Sequence, residues 1–289
     1  MLYTDKIIHY TTEERIRVSI ALTKNIAETA RKRHGLSPVA AAALGRTMTG
    51  ALLLAGDYKN HEGVSICIKG DGPLGAIYAD AFDTNKVRGY VDNPIVDIPL
   101  KENGKLDVGK AVGKGKVMVT RFTPEKTTYT SQSNLVTGEI AEDLAYYLYT
   151  SEQIPSTISL GVLVDRDYSI AASGGFLVQA LPGADDEKLA QVEANISNIG
   201  AITTYLSNHI DGEGLIECIL EGLHYKELYR QNLHWQCTCS QQRIESVLLS
   251  LSDADKQELL KDPQVEMTCH YCGKKYVISQ KELQHLYNC

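Results

Sequence analysis

Residues 233–289 hold very little large apolar mass but four closely spaced cysteines, Cys237-x-Cys239 and, after 29 intervening residues, Cys269-x-x-Cys272. A segment of 57 residues with so small a core seldom folds unaided, so the cysteines must supply a cross-link. Two chemistries are open to them. Four thiolates can surround one zinc ion, which prefers tetrahedral soft ligands, or the sulfurs can be oxidised to disulfides. The two states compete for the same atoms. Four cysteines allow three disulfide pairings, and spacing does not choose among them.

The local signals around these cysteines are well formed. Cys269-His-Tyr-Cys272-Gly273 reads as a turn that aims backbone amides at two sulfurs while the chain reverses, with strands expected at 265–268 and 275–278. Cys237-Thr-Cys239 directly precedes a helix expected over 240–250, whose N-terminal dipole favours a reactive thiolate at Cys239. Ile244, Val247, Leu248 and Leu251 share one face of that helix. Ser252-x-x-Asp255, ahead of Leu259-Leu260, and Ser279-x-x-Glu282 are capping-box signatures. Structural zinc contributes on the order of 10 kcal/mol of apparent folding free energy in small metal domains, so losing the metal should unfold the tail. The spacing suits a permanent zinc ribbon without redox function equally well. The Cys-x-Cys pair and the weak segment preceding the tail favour a switch.

That weak segment follows a long α+β region. Period-two alternation predicts strands over 6–10, 15–22, 64–69, 76–80, 86–91, 116–121 and 129–133, and a hairpin over 156–164 and 168–179. Helices are expected over 23–34, closed by Gly35; over 38–55, opened by Ser37-Pro38; and over 138–151. These elements make an N-terminal mixed α/β-sheet domain of residues 1–180. Leu181-Pro-Gly183 marks its end. Behind the acidic start Asp185-Asp186-Glu187, Leu189, Val192, Ile196 and Ile199 recur at helical spacing. Leu215, Ile216, Ile219, Leu220 and Leu223 form a later apolar face broken by Gly212, Gly214 and Gly222. Residues 181–232 therefore read as a metastable linker of short helices that needs a neighbour to pack on, and 233–289 as the small zinc-binding domain.

Composition narrows the partners. With 29 Lys and Arg against 36 Asp and Glu, the formal charge is −7, which opposes tight binding to nucleic acid or anionic membrane. The N-terminus lacks a secretory signal pattern, and the apolar stretch 39–55 is interrupted by Arg46 and is short for a membrane span. A soluble, cytoplasmic protein is expected. Seven cysteines are then reduced by default. Gly70-Asp-Gly72-Pro-Leu-Gly75 matches the dinucleotide fingerprint G-x-G-x-x-G, but a strand rather than a helix follows, so it reads as a turn. Cys67 reads as a small buried hydrophobe in a strand; Cys218 and Cys289 receive no site role. His234, His270 and His285 read as packing or surface residues beside a coordination set that is already complete. Residues 233–289 carry six basic and seven acidic residues, so Lys274-Lys275 reads as a solvated turn. No catalytic arrangement stands out, and no enzymatic turnover is expected. Besides the redox switch, the rival functions are a zinc-ribbon nucleic-acid-binding factor, which the charge opposes, and a thiol-disulfide oxidoreductase built on Cys269-x-x-Cys272, which lacks the following helix that such chemistry uses.

Several longer motifs resemble one family. Arg33-His-Gly-Leu-Ser-Pro38, Lys69-Gly-Asp-Gly-Pro-Leu-Gly75, Arg88-Gly-Tyr-Val91, Gly138-Glu-Ile-Ala-Glu-Asp143, Ser151-Glu-Gln-Ile-Pro-Ser156, Gly174-Gly-Phe-Leu-Val-Gln179, Leu181-Pro-Gly-Ala184 and the terminal cysteine pairs are similar to those of the heat-shock protein 33 family, redox-regulated holdase chaperones of the bacterial cytosol. The resemblance implies one zinc ion held by Cys237, Cys239, Cys269 and Cys272 in a reduced form that is inactive as a chaperone. It further implies that oxidation forms the disulfides Cys237–Cys239 and Cys269–Cys272, expels zinc, and unfolds the tail and linker. The apolar surface so exposed would capture unfolding client proteins without ATP, in an oxidised homodimer.

Overall fold

In the computed structural model, which describes residues 4–56, 63–123, 127–208 and 213–287, the alternating start of the chain forms the antiparallel hairpin β1 (Lys6–Thr12) and β2 (Ile16–Leu22). Helix α1 (Lys24–His34) follows and ends on Gly35 at φ +60°, the left-handed geometry glycine adopts without a Cβ clash. Its N-terminus is capped from a distance, because the Asp5 carboxylate accepts the amides of Asn25 at 3.0 Å and Ile26 at 2.6 Å. Helix α2 (Pro38–Ala55) opens with proline in its first turn, and only Pro38 and Arg46 escape burial along it. At 18 residues α2 does reach the length and hydropathy of a membrane span, contrary to the expectation from residues 39–55. With 89% of that window inside the fold, it is the central core helix instead. Gly45 and Gly50 let it approach its neighbours: a Cβ there would sit 2.8 Å from Val162 and 2.6 Å from Leu144.

The expected run of strands follows as β3 (Gly63–Gly70), β4 (Ala76–Phe82), β5 (Lys86–Val91), β6 (Gly115–Phe122) and β7 (Thr127–Asn134), with a short helix α3 (Val108–Val112) between β5 and β6. The glycine-rich segment 70–75 is a turn joining two antiparallel strands, and no helix follows it. Helix α4 (Ala141–Tyr147) is shorter than the 138–151 read from sequence. Its last turn widens into a π-helical turn, Leu148–Glu152, and Asp143 binds the amides of Val136, Thr137 and Ile140 ahead of it. Strands β8 (Ser156–Val164) and β9 (Ile170–Ala180) form the predicted hairpin.

Residues 181–232 continue as helices α5 (Asp186–Ile199), α6 (Ile202–Asn208) and α7 (Glu213–Ile219). Gly212 and Cys289 lie outside the described residues. The end of the stretch is not helical: strand β10 (Tyr225–Asn232) pairs antiparallel with β1, and β11 (His234–Trp235) pairs parallel with β5. The strand is held by aromatic contacts, Tyr229 stacking on His9 at 4.3 Å and Tyr225 meeting Tyr10 edge-on at 5.8 Å. Two sheets result, in the orders β10-β1-β2-β9-β8 and β11-β5-β4-β3-β6-β7. Their inner faces, with Ile7, Leu177, Ile66 and Ile77, share one core with α2. The other face of the first sheet, with Ile8, Val18, Ile20, Phe176 and Val178, is covered by Val192, Leu206, Leu215, Ile219 and other residues of α5–α7.

The chain divides into two compact units, Met1–Gln236 and Cys237–Cys289. The second contains α8 (Gln241–Leu249), α9 (Asp253–Leu259), the hairpin β12 (Gln264–Thr268) and β13 (Lys275–Ser279), and α10 (Gln280–Tyr287). Its fully buried apolar cluster is Leu248, Ile278 and Leu283.

Candidate metal centre

The β12–β13 turn carries two of the four sulfurs. Its geometry is set by main-chain bonds: the Cys269 amide donates to the Lys274 carbonyl at 2.9 Å, and the Gly273 amide donates to the Cys269 carbonyl at 2.8 Å. Gly273 sits at φ +70°, a conformation that a side chain would strain. The other two sulfurs precede α8. Ser240 caps that helix by accepting the Arg243 amide at 3.3 Å, and the Arg243 guanidinium donates to Thr238 Oγ1 at 2.6 Å. The residue between the two cysteines is thereby tied to the first turn of the helix.

These elements bring the sulfurs of Cys237, Cys239, Cys269 and Cys272 within 4.8 Å of one another. Cys237 and Cys269 lie 3.7 Å apart, Cys239 and Cys272 3.4 Å. A tetrahedral zinc site with Zn–S bonds near 2.3 Å requires sulfurs roughly 3.8 Å apart, so the donor set fits that ion in number, type and spacing. Backbone amides add to the fit, that of Cys239 donating to the Cys237 sulfur and that of Lys274 to the Cys272 sulfur. Since every sulfur is near every other, proximity favours no single disulfide pairing.

Electrostatics point the same way. Burial pushes the Cys237 thiol up, and burial with the neighbouring sulfurs pushes Cys272 up to about 12. Cys239 moves in the opposite direction, to about 7. Burial opposes its ionisation, but hydrogen bonds from the Tyr276 hydroxyl and the neighbouring sulfurs outweigh it. Four like charges cannot accumulate in so small a space without a compensating cation. The thiolate expected at Cys239 is thus favoured, and the leading favourable cause is the Tyr276 hydroxyl, 3.1 Å from the sulfur. Sequence reading did not single out Tyr276. Its signal was the alternation of β13, where Tyr276 and Ile278 are buried while Lys275 and Val277 are exposed.

The remaining candidates fall outside the cluster. No histidine belongs to the metal-ligating group among the described residues; His234 lies in β11 within the first unit. Cys67 is half-buried and hydrogen-bonded with Tyr78, and burial raises its thiol. It therefore packs against a tyrosine pair, Tyr78 stacked on Tyr90 at 4.7 Å, and not in the core as expected. Cys218 is exposed on α7.

Comparison with known proteins places this architecture. The family model described as Hsp33 protein matches residues 5–279. The 33 kDa chaperonin of Desulforamulus reducens is 42% identical over 271 residues, covering 93% of this chain and 92% of its own. That of Bacillus subtilis is 38% identical over 288 residues, covering 99% and 98%. The crystal structure of the 33 kDa chaperonin (heat shock protein 33 homolog) from Thermotoga maritima superposes with a TM-score of 0.90 at 36% identity, over 99% of this chain and 98% of the other. With the family model, the curated relatives and the solved fold in agreement over nearly the full length, the chain belongs to the Hsp33 family.

Proposed function

We propose that this protein is a redox-regulated, ATP-independent holdase that binds unfolding proteins under oxidative stress in the cytoplasm, and that it has no catalytic turnover. One observation carries the reading. Four sulfurs within 4.8 Å of one another cross-link a unit whose fully buried apolar cluster is three side chains, so the state of the sulfurs decides whether that unit stays folded. In the reduced state Cys237, Cys239, Cys269 and Cys272 would hold one zinc ion, which keeps the four thiolates ionised and joins the segment before α8 to the β12–β13 turn.

Oxidation acts on the thiolates. Each disulfide takes two electrons from two sulfurs and passes them to a two-electron oxidant; a peroxide is cleaved at its O–O bond and, with two protons, leaves as two molecules of water or as alcohol and water. Family likeness assigns the pairs as Cys237–Cys239 and Cys269–Cys272. A disulfide sulfur is a poor ligand, so the donor set is lost and the tail loses its cross-link. The linker of residues 181–232 then loosens, its helices α5–α7 leaving the outer face of the first sheet. The apolar surface uncovered holds client proteins, with the oxidised protein acting as a homodimer. Partners are unfolded polypeptides and not nucleic acid or membrane, consistent with the charge of −7.

The test follows zinc release with a chromophoric chelator during peroxide treatment and mild heating, alongside light scattering of an aggregating client. Zinc release that precedes and scales with client protection is the expected result. Zinc release without protection would reject the coupling, and tight, salt-sensitive DNA or RNA binding by the reduced form would select a zinc-ribbon nucleic-acid factor instead.

A further inference from the structure

The first sheet ends on β8, which has β9 as its sole strand neighbour among the described residues. The main-chain bonds around β9 fix which way β8 points. The Leu181 amide donates to the Arg15 carbonyl and the Thr23 amide to the Ser173 carbonyl, each at 2.9 Å, so the odd-numbered residues of β9 face β2. The Ala180 amide donates to the Pro155 carbonyl at 3.1 Å, so the even-numbered residues face β8. Given the register Thr157↔Val178, Ser159↔Phe176 and Gly161↔Gly174, the alternation of an antiparallel ladder turns the amides and carbonyls of Ile158, Leu160 and Val162 away from the sheet.

This edge is held firmly, and its own residues carry none of the usual guards. The side chains of Ile158, Leu160 and Val162 are anchored in the core at 6–8% exposure, which holds the strand straight. Natural sheets blunt a free edge with lysine, proline or a bulge. Residues 159–164 read Ser-Leu-Gly-Val-Leu-Val, and the only irregularity in the pairing falls at their end, between Leu163 and Val164. Beside the edge runs a cleft of about 690 Å³ lined by all six of these residues, with the 103–106 loop and residues 200–204 among its other walls. Leu163 stands 39% exposed in it.

We propose that the β8 edge captures one extended segment of an unfolded polypeptide as an added strand, with main-chain bonds to Ile158, Leu160 and Val162 giving affinity and the cleft beside Leu163 taking the apolar side chains of one face, which fixes the register of an alternating segment. The proposal rests on the holdase reading and names its client-binding element. The walls favour a lone strand over the sheet edge of a second copy. The start of α6 is packed onto Gly161, where a Cβ would meet Ile202 and Thr203 at 2.6 Å, and the volume is that of a site for one ligand.

The test uses the oxidised full-length protein and a fluorescein-labelled octapeptide of alternating valine and threonine, read by anisotropy. Two further peptides carry N-methyl groups on every valine or on every threonine. An added strand presents only one of these sets to the edge, so one methylated peptide should bind about tenfold or more weakly, through loss of two or three main-chain hydrogen bonds, and the other like the parent. Leu163→Lys, which sets a charge in the cleft at an exposed position, should weaken the parent peptide by a similar factor and reduce suppression of citrate synthase aggregation. Equal binding of all three peptides overturns the proposal, as does a Leu163→Lys protein that turns from dimer to monomer with peptide affinity unchanged. Wild-type oxidised protein that leaves citrate synthase aggregation untouched would instead overturn the holdase reading itself.

Discussion

Replacing Leu283 by alanine tests whether the metal and the fold of the tail are one equilibrium. Leu283 is fully buried, one of the three side chains at the centre of the tail's apolar cluster. It lies on α10, whose first turn is fixed by reciprocal bonds between Ser279 and Glu282. Alanine is the best helix former, so the substitution leaves helix propensity intact and isolates packing. Loss of a buried leucine costs about 2–5 kcal/mol. If the metal-free tail is unfolded, its folding free energy is part of the zinc-binding free energy, and the whole loss must appear as weaker zinc affinity, from about 30-fold to several thousandfold. The lower end is expected, because the half-buried neighbours Ile244, Leu259 and Leu286 can partly fill the space. The assay is competition with a chromophoric chelator in reducing buffer on the full-length protein. Leu249→Ala, at a position 48% exposed, is the control and should change affinity by about twofold or less. A Leu283→Ala protein with lowered thermal stability but zinc affinity within about threefold of wild type would refute the reasoning, since it would mean that the tail folds without its metal.

Three further outcomes are expected. Tyr276→Phe removes the hydroxyl donor to Cys239 and should weaken zinc binding roughly tenfold, the usual effect of losing an outer-shell hydrogen bond; unchanged affinity in the same competition assay would deny the bond a role. Acid stability should depend on two buried groups of opposite sign. Burial raises Asp5 to about 6, so that group gains stability as pH falls below 6, whereas burial and the nearby Arg17 lower His9 to about 4, so stability is lost between its unfolded value near 6.5 and 4. Wild type should therefore change by about 1 kcal/mol or less from pH 7 to 4.5, and Asp5→Asn should lose about 2–3 kcal/mol. Urea titrations followed by the fluorescence of the single tryptophan, Trp235, read this, and parallel pH profiles would contradict it. Asp185→Ala deletes the cap that accepts the amides of Glu187 and Lys188 at 2.9 and 3.1 Å; it should destabilise α5 by about 1 kcal/mol, seen as roughly fivefold faster hydrogen exchange over 186–199, and unchanged exchange there would contradict it.

What was legible in the sequence is what local rules determine. Alternation gave the strands from β1 to β9 nearly to their ends, and the capping signals at Ser252 and Ser279 both carry the bonds they promised. The four cysteines converge because two short local motifs each present a pair. The misses are long-range. Strand β10 carries few large aliphatic side chains and no one-sided apolar pattern; Tyr225 and Tyr229 become intelligible only opposite Tyr10 and His9. Asp5 caps a helix about twenty residues downstream, which no capping signature encodes. Helix α4 starts late because Ile140 adopts φ +68°, a conformation that β-branched residues rarely take and that the surrounding bonds to Asp143 impose.

On the holdase reading proposed above, uneven burial accounts for a local change at four sulfurs having a large output. The core around α2 draws on both sheets and more than forty buried side chains, so losing a metal elsewhere does not threaten it. The second cluster is different in kind. Its sheet half, with Ile8, Tyr10, Val18, Ile20, Phe176 and Val178, is rigid, whereas its cover includes α5, where Val192 alone is fully buried. Removing the cover leaves the sheet intact, because the ladders β1–β2 and β2–β9 do not pass through it. The surface then exposed is a continuous apolar face on the order of several hundred Å², the size at which patches become binding sites. Strand β10 belongs to the weaker part too, since among the described residues β1 is its one strand neighbour and most of its residues are exposed. Its release would open the β1 edge of the sheet that already ends in the β8 edge. A sheet with both edges free and one apolar face bare suits an unfolded chain better than a folded one, because such a chain offers unpaired backbone together with exposed hydrophobic side chains.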